Sequence, residues 1–241
     1  KRPEGCWVAH TALTVLECHR LRHRFERALA RLGVSWYDVE RLAVLHDTGK
    51  LTDYYARRPT PHNVFSMAVA AEICGQRSPV VQAAFLHHES MHWREVLKSI
   101  RTGLPITSIA HTVRWQGKVV MRGLRLREGH DKAIRCLEGV LRIMGVNTLD
   151  DVLTALANKQ VFRLSENPAR LIGRLDPRAI ALYWILYLAD NRAASARDGP
   201  EGYWLYKARE LMDRHRNPLK LADELMWKHP RPDIALTALT I

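Results

Sequence analysis

An all-α domain is the fold class this sequence predicts, on three observations. Apolar residues recur at helical spacing through most of the 241 residues. Helix-starting patterns stand in front of several of those runs: Ser35 with Asp38, Thr148 with Asp151, and Asp176 followed by Pro177. Only between residues 99 and 129 do glycines break the pattern densely.

Taken in order, residues 6–32 place Leu13, Leu16, Leu21, Phe25, Leu29 and Leu32 at roughly helical spacing, closed by Gly33. Ser35 opens a second helix that runs through His46. A third covers Asn63 to Cys74, with Val64, Met67, Ala68 and Ala71 on its apolar face and Gly75 as its stop. Pro79 suits a first helical position, and Val80 to His88 continues from it. Residues 99–129 read as an irregular basic insertion punctuated by Gly103, Pro105, Gly117, Gly123 and Gly129, with a short hairpin over Val119 to Leu126. Helices resume at Lys132–Met144, at Leu149–Asn158, and from Pro177 to about Ala196, then close with Tyr203–His215 and Pro218–Trp227. Without internal repeats or low-complexity stretches, residues 1–241 read as one domain.

Composition narrows the function classes. Lys and Arg number 37 against 25 Asp and Glu, a net charge of +12 that favours association with polyanions. Cys6, Cys18, Cys74 and Cys136 lie far apart, which argues against a zinc knuckle and a disulfide-stapled secreted domain. The longest nearly apolar run, Ala179 to Ala189, falls short of the ~20 residues that span a bilayer. Nothing at the start resembles a secretory signal, so a cytoplasmic location without membrane contact is expected.

The chemistry concentrates where apolar runs end in ligating residues. Leu42-Ala43-Val44-Leu45 leads into His46-Asp47-Thr48-Gly49-Lys50. Leu86 is followed by His87-His88, and Ala189 by Asp190. An imidazole or carboxylate at the inner end of a buried helix is costly unless paired, and a divalent cation is an effective partner. With His10 and His62, these residues form a nitrogen and oxygen donor set without thiolate, which suits Mn, Mg, Ni or Co, as one ion or two, better than structural zinc. Asp47 would bridge, with His10, His46 and Asp190 on one side and His62, His87 and His88 on the other. His130-Asp131 lacks an apolar lead-in and reads as a solvated helix start. The remaining histidines (His19, His23, His92, His111, His215 and His229) read as ordinary hydrogen-bonded residues.

The order of these residues resembles the HD superfamily of metal-dependent phosphohydrolases. That order is an early His10, then His46-Asp47-Thr48-Gly49-Lys50, a lone His62, His87-His88, and Ala189-Asp190-Asn191-Arg192-Ala193-Ala194-Ser195. Within the superfamily it is most similar to the HD nuclease of type I CRISPR interference. The resemblance implies an HD-domain helical bundle with a one- or two-metal centre. It also implies metal-dependent endonucleolytic cleavage of single-stranded DNA by activated water, in antiviral defence. No P-loop is present, so a separate helicase subunit and a CRISPR effector complex are the expected partners. The stretch from Asp47 to His62 is short for that pattern.

Further roles follow on this reading. His46, Asp47 and Lys50 are the expected catalytic residues, Lys50 holding a substrate phosphate or else forming a salt bridge to a carboxylate. Ser195 would orient Asp190. Arg114, Trp115, Lys118, Arg122, Arg125 and Arg127 would track a strand, cations on phosphates and the indole on a base. The alternative is an HD phosphohydrolase acting on nucleotides or cyclic nucleotides, which leaves the net charge without a reason.

Overall fold

The computed structural model describes residues 7–57, 62–87, 110–172 and 175–197. The chain is all-α. Its elements are α1 (Trp7–Arg31), α2 (Trp36–Leu45), a 3-10 turn (Thr48–Leu51), α3 (Asp53–Arg57), α4 (Asn63–Cys74), α5 (Pro79–Leu86) and α6 (Ala110–Arg122). There follow β1 (Leu124–Arg125), α7 (His130–Ile143), α8 (Asp150–Asn158), β2 (Val161–Phe162), α9 (Pro168–Leu171) and α10 (Pro177–Arg197). No helix among the described residues is long and apolar enough to cross a membrane.

Helix α1 shows why the bundle is organised as it is. From Trp7 to Cys18 every side chain is buried, polar ones included, whereas beyond Leu21 mainly Leu29 points inward. The first half is therefore enclosed, by α10, α2 and α7, and the second half is an ordinary surface helix. Helix α4 is likewise buried from Asn63 through Ala71 and packs on α5, α6 and the 3-10 turn. Leu42, Leu45, Phe65, Phe85 and Leu86 are fully buried around this junction. Each such side chain contributes roughly 1.5–3 kcal/mol on leaving water.

Helix boundaries follow local chemistry. Ser35 and Asp38 form a reciprocal capping box at α2, the Ser78 hydroxyl accepts from the Val80 amide with Pro79 inside the start of α5, and Asp176 Oδ1 accepts from the Arg178 amide at α10. The Thr148 box is a correction. Its hydroxyl donates instead to Glu40 at 2.8 Å, and α8 starts from Leu149 with no side-chain cap. Glu40 is buried and also meets His19 at 3.1 Å, so Thr148 serves a tie between α2 and the α7–α8 connection.

The basic stretch is a second correction. Its described part is helical over Ala110–Arg122, with Gln116 and Val120 buried and Trp115, Lys118, Met121 and Arg122 exposed. Gly117 is a contact point: a Cβ there would lie 3.3 Å from the Pro168 ring of α9. The expected hairpin within Val119–Leu126 is absent. Leu124 and Arg125 pair antiparallel with Phe162 and Val161 far along the chain. Residues 99–109, His88, His92 and the helices expected at Tyr203–His215 and Pro218–Trp227 lie outside the described residues.

Candidate metal centre

Four segments converge on Asp47. His46 ends α2 and Asp47 opens the 3-10 turn, whose geometry is fixed by the Thr48 hydroxyl donating to the Leu45 carbonyl (2.7 Å) and the Thr52 hydroxyl to the Gly49 carbonyl (2.7 Å). His62 stands at the N-cap of α4, and His87 follows the last turn of α5. Asn63 Nδ2 donates to the Phe85 carbonyl at 3.0 Å, using an acceptor that the end of a helix leaves open. That bond brings the start of α4 and the end of α5 together. His10 comes from the enclosed half of α1 and Asp190 from α10.

Gly49 lets this closure happen. A Cβ at that position would lie 2.4 Å from the His62 carbonyl oxygen and 2.9 Å from its Cβ, closer than non-bonded atoms approach. The Gly49 amide also donates to the Ser66 hydroxyl at 2.9 Å, which holds the turn against α4. The glycine of the motif is thus a clearance that allows His62 to reach Asp47.

The two oxygens of the Asp47 carboxylate face different partners. Oδ1 lies 2.6 Å from His62 Nε2 and 3.7 Å from His87 Nε2. Oδ2 lies 3.5 Å from His10 Nε2, 3.7 Å from His46 Nε2 and 2.6 Å from Lys50 Nζ. Asp190 Oδ1 completes the second group, 2.8 Å from His10 Nε2 and 3.7 Å from His46 Nε2. In each of the groups His10–His46–Asp47 and Asp47–His62–His87, one potential ligand atom per residue lies within 4.8 Å of the others. Either group can hold a metal ion.

The tautomers agree with that use. His46 Nδ1 donates to the Ala43 carbonyl at 2.8 Å and His87 Nδ1 to the Ala84 carbonyl at 2.6 Å. Each neutral ring therefore turns an Nε2 lone pair inward. His46 Nε2 is buried with no hydrogen-bond partner. His87 Nε2 lies 3.2 Å from His62 Nε2, which is bonded to Asp47 Oδ1, and a cation replacing the His62 proton could be shared by both nitrogens. The donor set fits a metal ion.

Electrostatics point the same way. Burial opposes ionisation of Asp47, yet His46, His62 and Lys50 hold its carboxyl well below the usual range. Asp190 is likewise opposed by burial and held low by His10 and His46. Burial alone would lower His46, but the Asp47 and Asp190 carboxylates raise it above its ordinary value. For His62 burial prevails over the bond to Asp47, and its pKa is lowered. The centre opens to solvent at Asp190 and Lys50, whose side chains are 29% and 32% exposed.

Compared with known proteins, the chain matches no family model, no curated protein and no solved structure.

Six of the seven expected ligands thus come together: His10, His46, Asp47, His62, His87 and Asp190. The seventh, His88, lies outside the described residues, as do the side chains of Ser195 and Arg114. Lys50 takes the salt-bridge alternative, with Asp47 itself as the carboxylate. Trp115 packs edge-on against Tyr54 at 5.1 Å, beside Tyr55, whose ring meets His62 at 5.4 Å. Lys118, Arg122, Arg125 and Arg127 are exposed and make no ion pair with the centre. Tyr55, Asn63 and Ser66 support the site without having been singled out from the sequence. The helical spacing from Asn63 to Ser66 on a helix that follows His62 was the available signal. His130 is a further correction: it is buried, not solvated, with Nδ1 donating to the Arg127 carbonyl at 2.9 Å.

Proposed function

We propose that this chain is an HD-type metal-dependent nuclease that cuts single-stranded DNA, in the manner of the type I CRISPR interference nucleases. One observation carries the proposal: the oxygens of a single buried carboxylate, Asp47, address two separate imidazole groups. That is the donor arrangement a two-ion phosphodiesterase needs.

His10, His46 and Asp190 would hold one ion with Asp47 Oδ2, and His62 and His87 the other with Oδ1. Bound divalent ions supply a Lewis acid for the phosphoryl oxygens and lower the pKa of an attacking water. The chain's own residues do the rest. Carbonyls of Ala43 and Ala84 fix the ring orientation of His46 and His87, so no reorganisation is needed when a ligand arrives. Lys50 balances Asp47 at rest and, at the solvent edge of the centre, offers its ammonium to a substrate phosphate as a point charge.

A polynucleotide substrate is favoured over a free nucleotide by charge. The chain carries +12, and Lys118, Arg122, Arg125 and Arg127 lie exposed on α6, β1 and the residues just after it. The strand segment is tied to the catalytic turn by the Thr52–Leu126 bridge. Trp115 and Tyr54 add aromatic surface next to the His62 side of the centre. A helicase subunit and a CRISPR effector complex would deliver the strand.

The test is cleavage of a labelled circular single-stranded DNA by metal-stripped protein, with Mn, Mg, Ni and Co restored singly. Cutting of the circle that needs both metal and Asp47 supports the proposal. Asp47→Ala is expected to abolish cutting while its circular-dichroism spectrum stays helical. Metal-dependent cutting by Asp47→Ala would overturn the assignment of the centre. Phosphate release from nucleotides without cutting of the circle would move the substrate to the small-molecule class.

A further inference from the structure

Beside α3 lies a cavity of 710 Å³ that takes no part in the metal centre. Asp53, Arg125, Arg127, His130, Arg135 and Gln160 are among the residues that line it. Its position relative to the centre is set by the backbone. Leu126 bridges to Thr52, and the Arg127 amide donates to the Leu51 carbonyl at 2.9 Å, so the cavity wall is joined to the turn that carries Lys50. Arg125 and Arg127 flank the buried Leu126, and strand alternation sends both to the same, outward face.

The lining is unusual in what it leaves unpaired. Among the described residues the Arg125, Arg127 and Arg135 guanidiniums have no hydrogen bond and no ion pair, and neither do the Glu128 and Asp131 carboxylates that line the same cavity. The 14-residue helix α7 begins here from Gly129, which is in a left-handed conformation and provides no side-chain cap. His130, donating from Nδ1 to the Arg127 carbonyl, keeps a buried Nε2 that has no partner. The three guanidiniums are matched in charge by the carboxylates of Asp53, Glu128 and Asp131, so the cavity is not a general sink for anions. It suits a ligand with an anionic group for the guanidiniums and hydrogen-bond donors for the carboxylates. A nucleotide offers both, a phosphate and the N–H groups of its base. The volume lies within the ~300–1,000 Å³ range of small-ligand pockets.

We infer that this cavity is a nucleotide-binding subsite, holding one unit of the strand beside the stretch that is cut. The inference rests on the nuclease reading above, and names where the strand is gripped. Arg135, on the first turns of α7, is the gripping residue that the basic stretch of the sequence did not include.

The experiment uses the full chain in excess chelator, so that binding is measured without hydrolysis. Fluorescence anisotropy follows a labelled single-stranded 12-mer of mixed sequence, with the Arg125→Ala/Arg135→Ala double variant set against a control of equal charge, Arg27→Ala/Arg31→Ala. The control pair lies on the exposed end of α1 next to the start of α2. Tyr37 of that helix start is bonded to Asp151 at the first turn of α8, whereas the cavity is at the opposite end of α8, at Ala157 and Asn158. A loss of ten-fold or more in the cavity variant, with less than three-fold in the control, is expected. Equal losses in the two, or no binding by the unaltered chain, would overturn the subsite. Deoxyadenosine monophosphate should displace the 12-mer at concentrations where inorganic phosphate does not; equal competition by phosphate overturns the nucleotide assignment. Hydrolysis of bis(p-nitrophenyl) phosphate by the unaltered chain with Mn restored reads the metal centre separately. Its absence, with the cavity losses intact, would sink the nuclease reading and leave a nucleotide-binding cavity.

Discussion

At Gly49 the absence of a single Cβ decides whether two parts of the centre meet. Gly49→Ala would press on the His62 carbonyl and Cβ, and so move the Oδ1 side of the centre while leaving His10, His46 and Asp190 in place. Its affinity for an ion on that side is expected to fall about 10–100-fold, as for loss of a group that orients a ligand. Calorimetric titration with Mn in the presence of a non-hydrolysable single strand would show this as loss of one of two binding stages. Protonation gives a second test. Because His62 is lowered, stability of the metal-free chain should decline as pH falls below about 6.5, the ordinary histidine value. Asp47 and Asp190 are held low, so their contribution is complete above the usual carboxylate range and is lost as pH falls through their lowered values. His46 is raised, so its contribution is complete below its ordinary value and is lost as pH rises through the raised one. The urea midpoint of metal-free protein should therefore peak near neutrality, and saturating Mn should remove the alkaline decline. At this scale His46, Asp47, His87 and Asp190 were legible in the sequence because each ends an apolar run or sits in the His-Asp motif, whereas His10 and His62 stood out only by their place in the order of ligands. Lys50 was not settled by sequence, since the pairing of a lysine depends on which carboxylate the fold brings within reach.

Among the elements, α10 matters most to the site, for it carries Asp190 and packs on α1 and α5. Its start is held by Asp176, which accepts from the Arg178 amide and pairs with the Arg178 guanidinium. Asp176→Ala is expected to cost about 1 kcal/mol, the usual loss of an N-cap, read as a lower urea midpoint. Mn affinity should be unchanged, because Asp190 is several turns away. Helices α1, α2, α4, α5 and α10 could be read from spacing, caps and stops, since their apolar faces are wide and their ends carry Ser, Asp, Pro or Gly. Helix α6 could not. Its Gly117, which costs about 1 kcal/mol against alanine within a helix, is kept where α6 approaches Pro168, a contact between segments far apart in sequence. The pairing of β1 with β2 was hidden for the same reason: two-residue strands carry no period of their own. Thr148 had the pattern of a cap, but a buried Glu40 was the stronger partner for its hydroxyl.

For the whole molecule the governing quantity is charge. With +12 and the exposed cations of α6 and the β1 segment, binding of single-stranded DNA should weaken steeply with salt, in proportion to the number of phosphates neutralised. Arg122→Glu combined with Arg125→Glu should weaken binding and flatten the slope without altering metal content. An unchanged slope would place the strand elsewhere. A mononucleotide, with one phosphate, should show little salt dependence in comparison.

The sharing of Asp47 between two imidazole groups has a consequence for when the centre is armed. Among the described residues only Asp47 and Asp190 bring negative charge to it, and Lys50 cancels part of that. One divalent ion already leaves the centre net positive, so a second is repelled until something anionic arrives. On the proposed nuclease function, the phosphate of a bound strand would be that missing charge. An idle chain should therefore hold a single ion and gain the second together with its substrate, a coincidence requirement that keeps it quiet in a cell full of metal ions and lets a delivered strand switch it on.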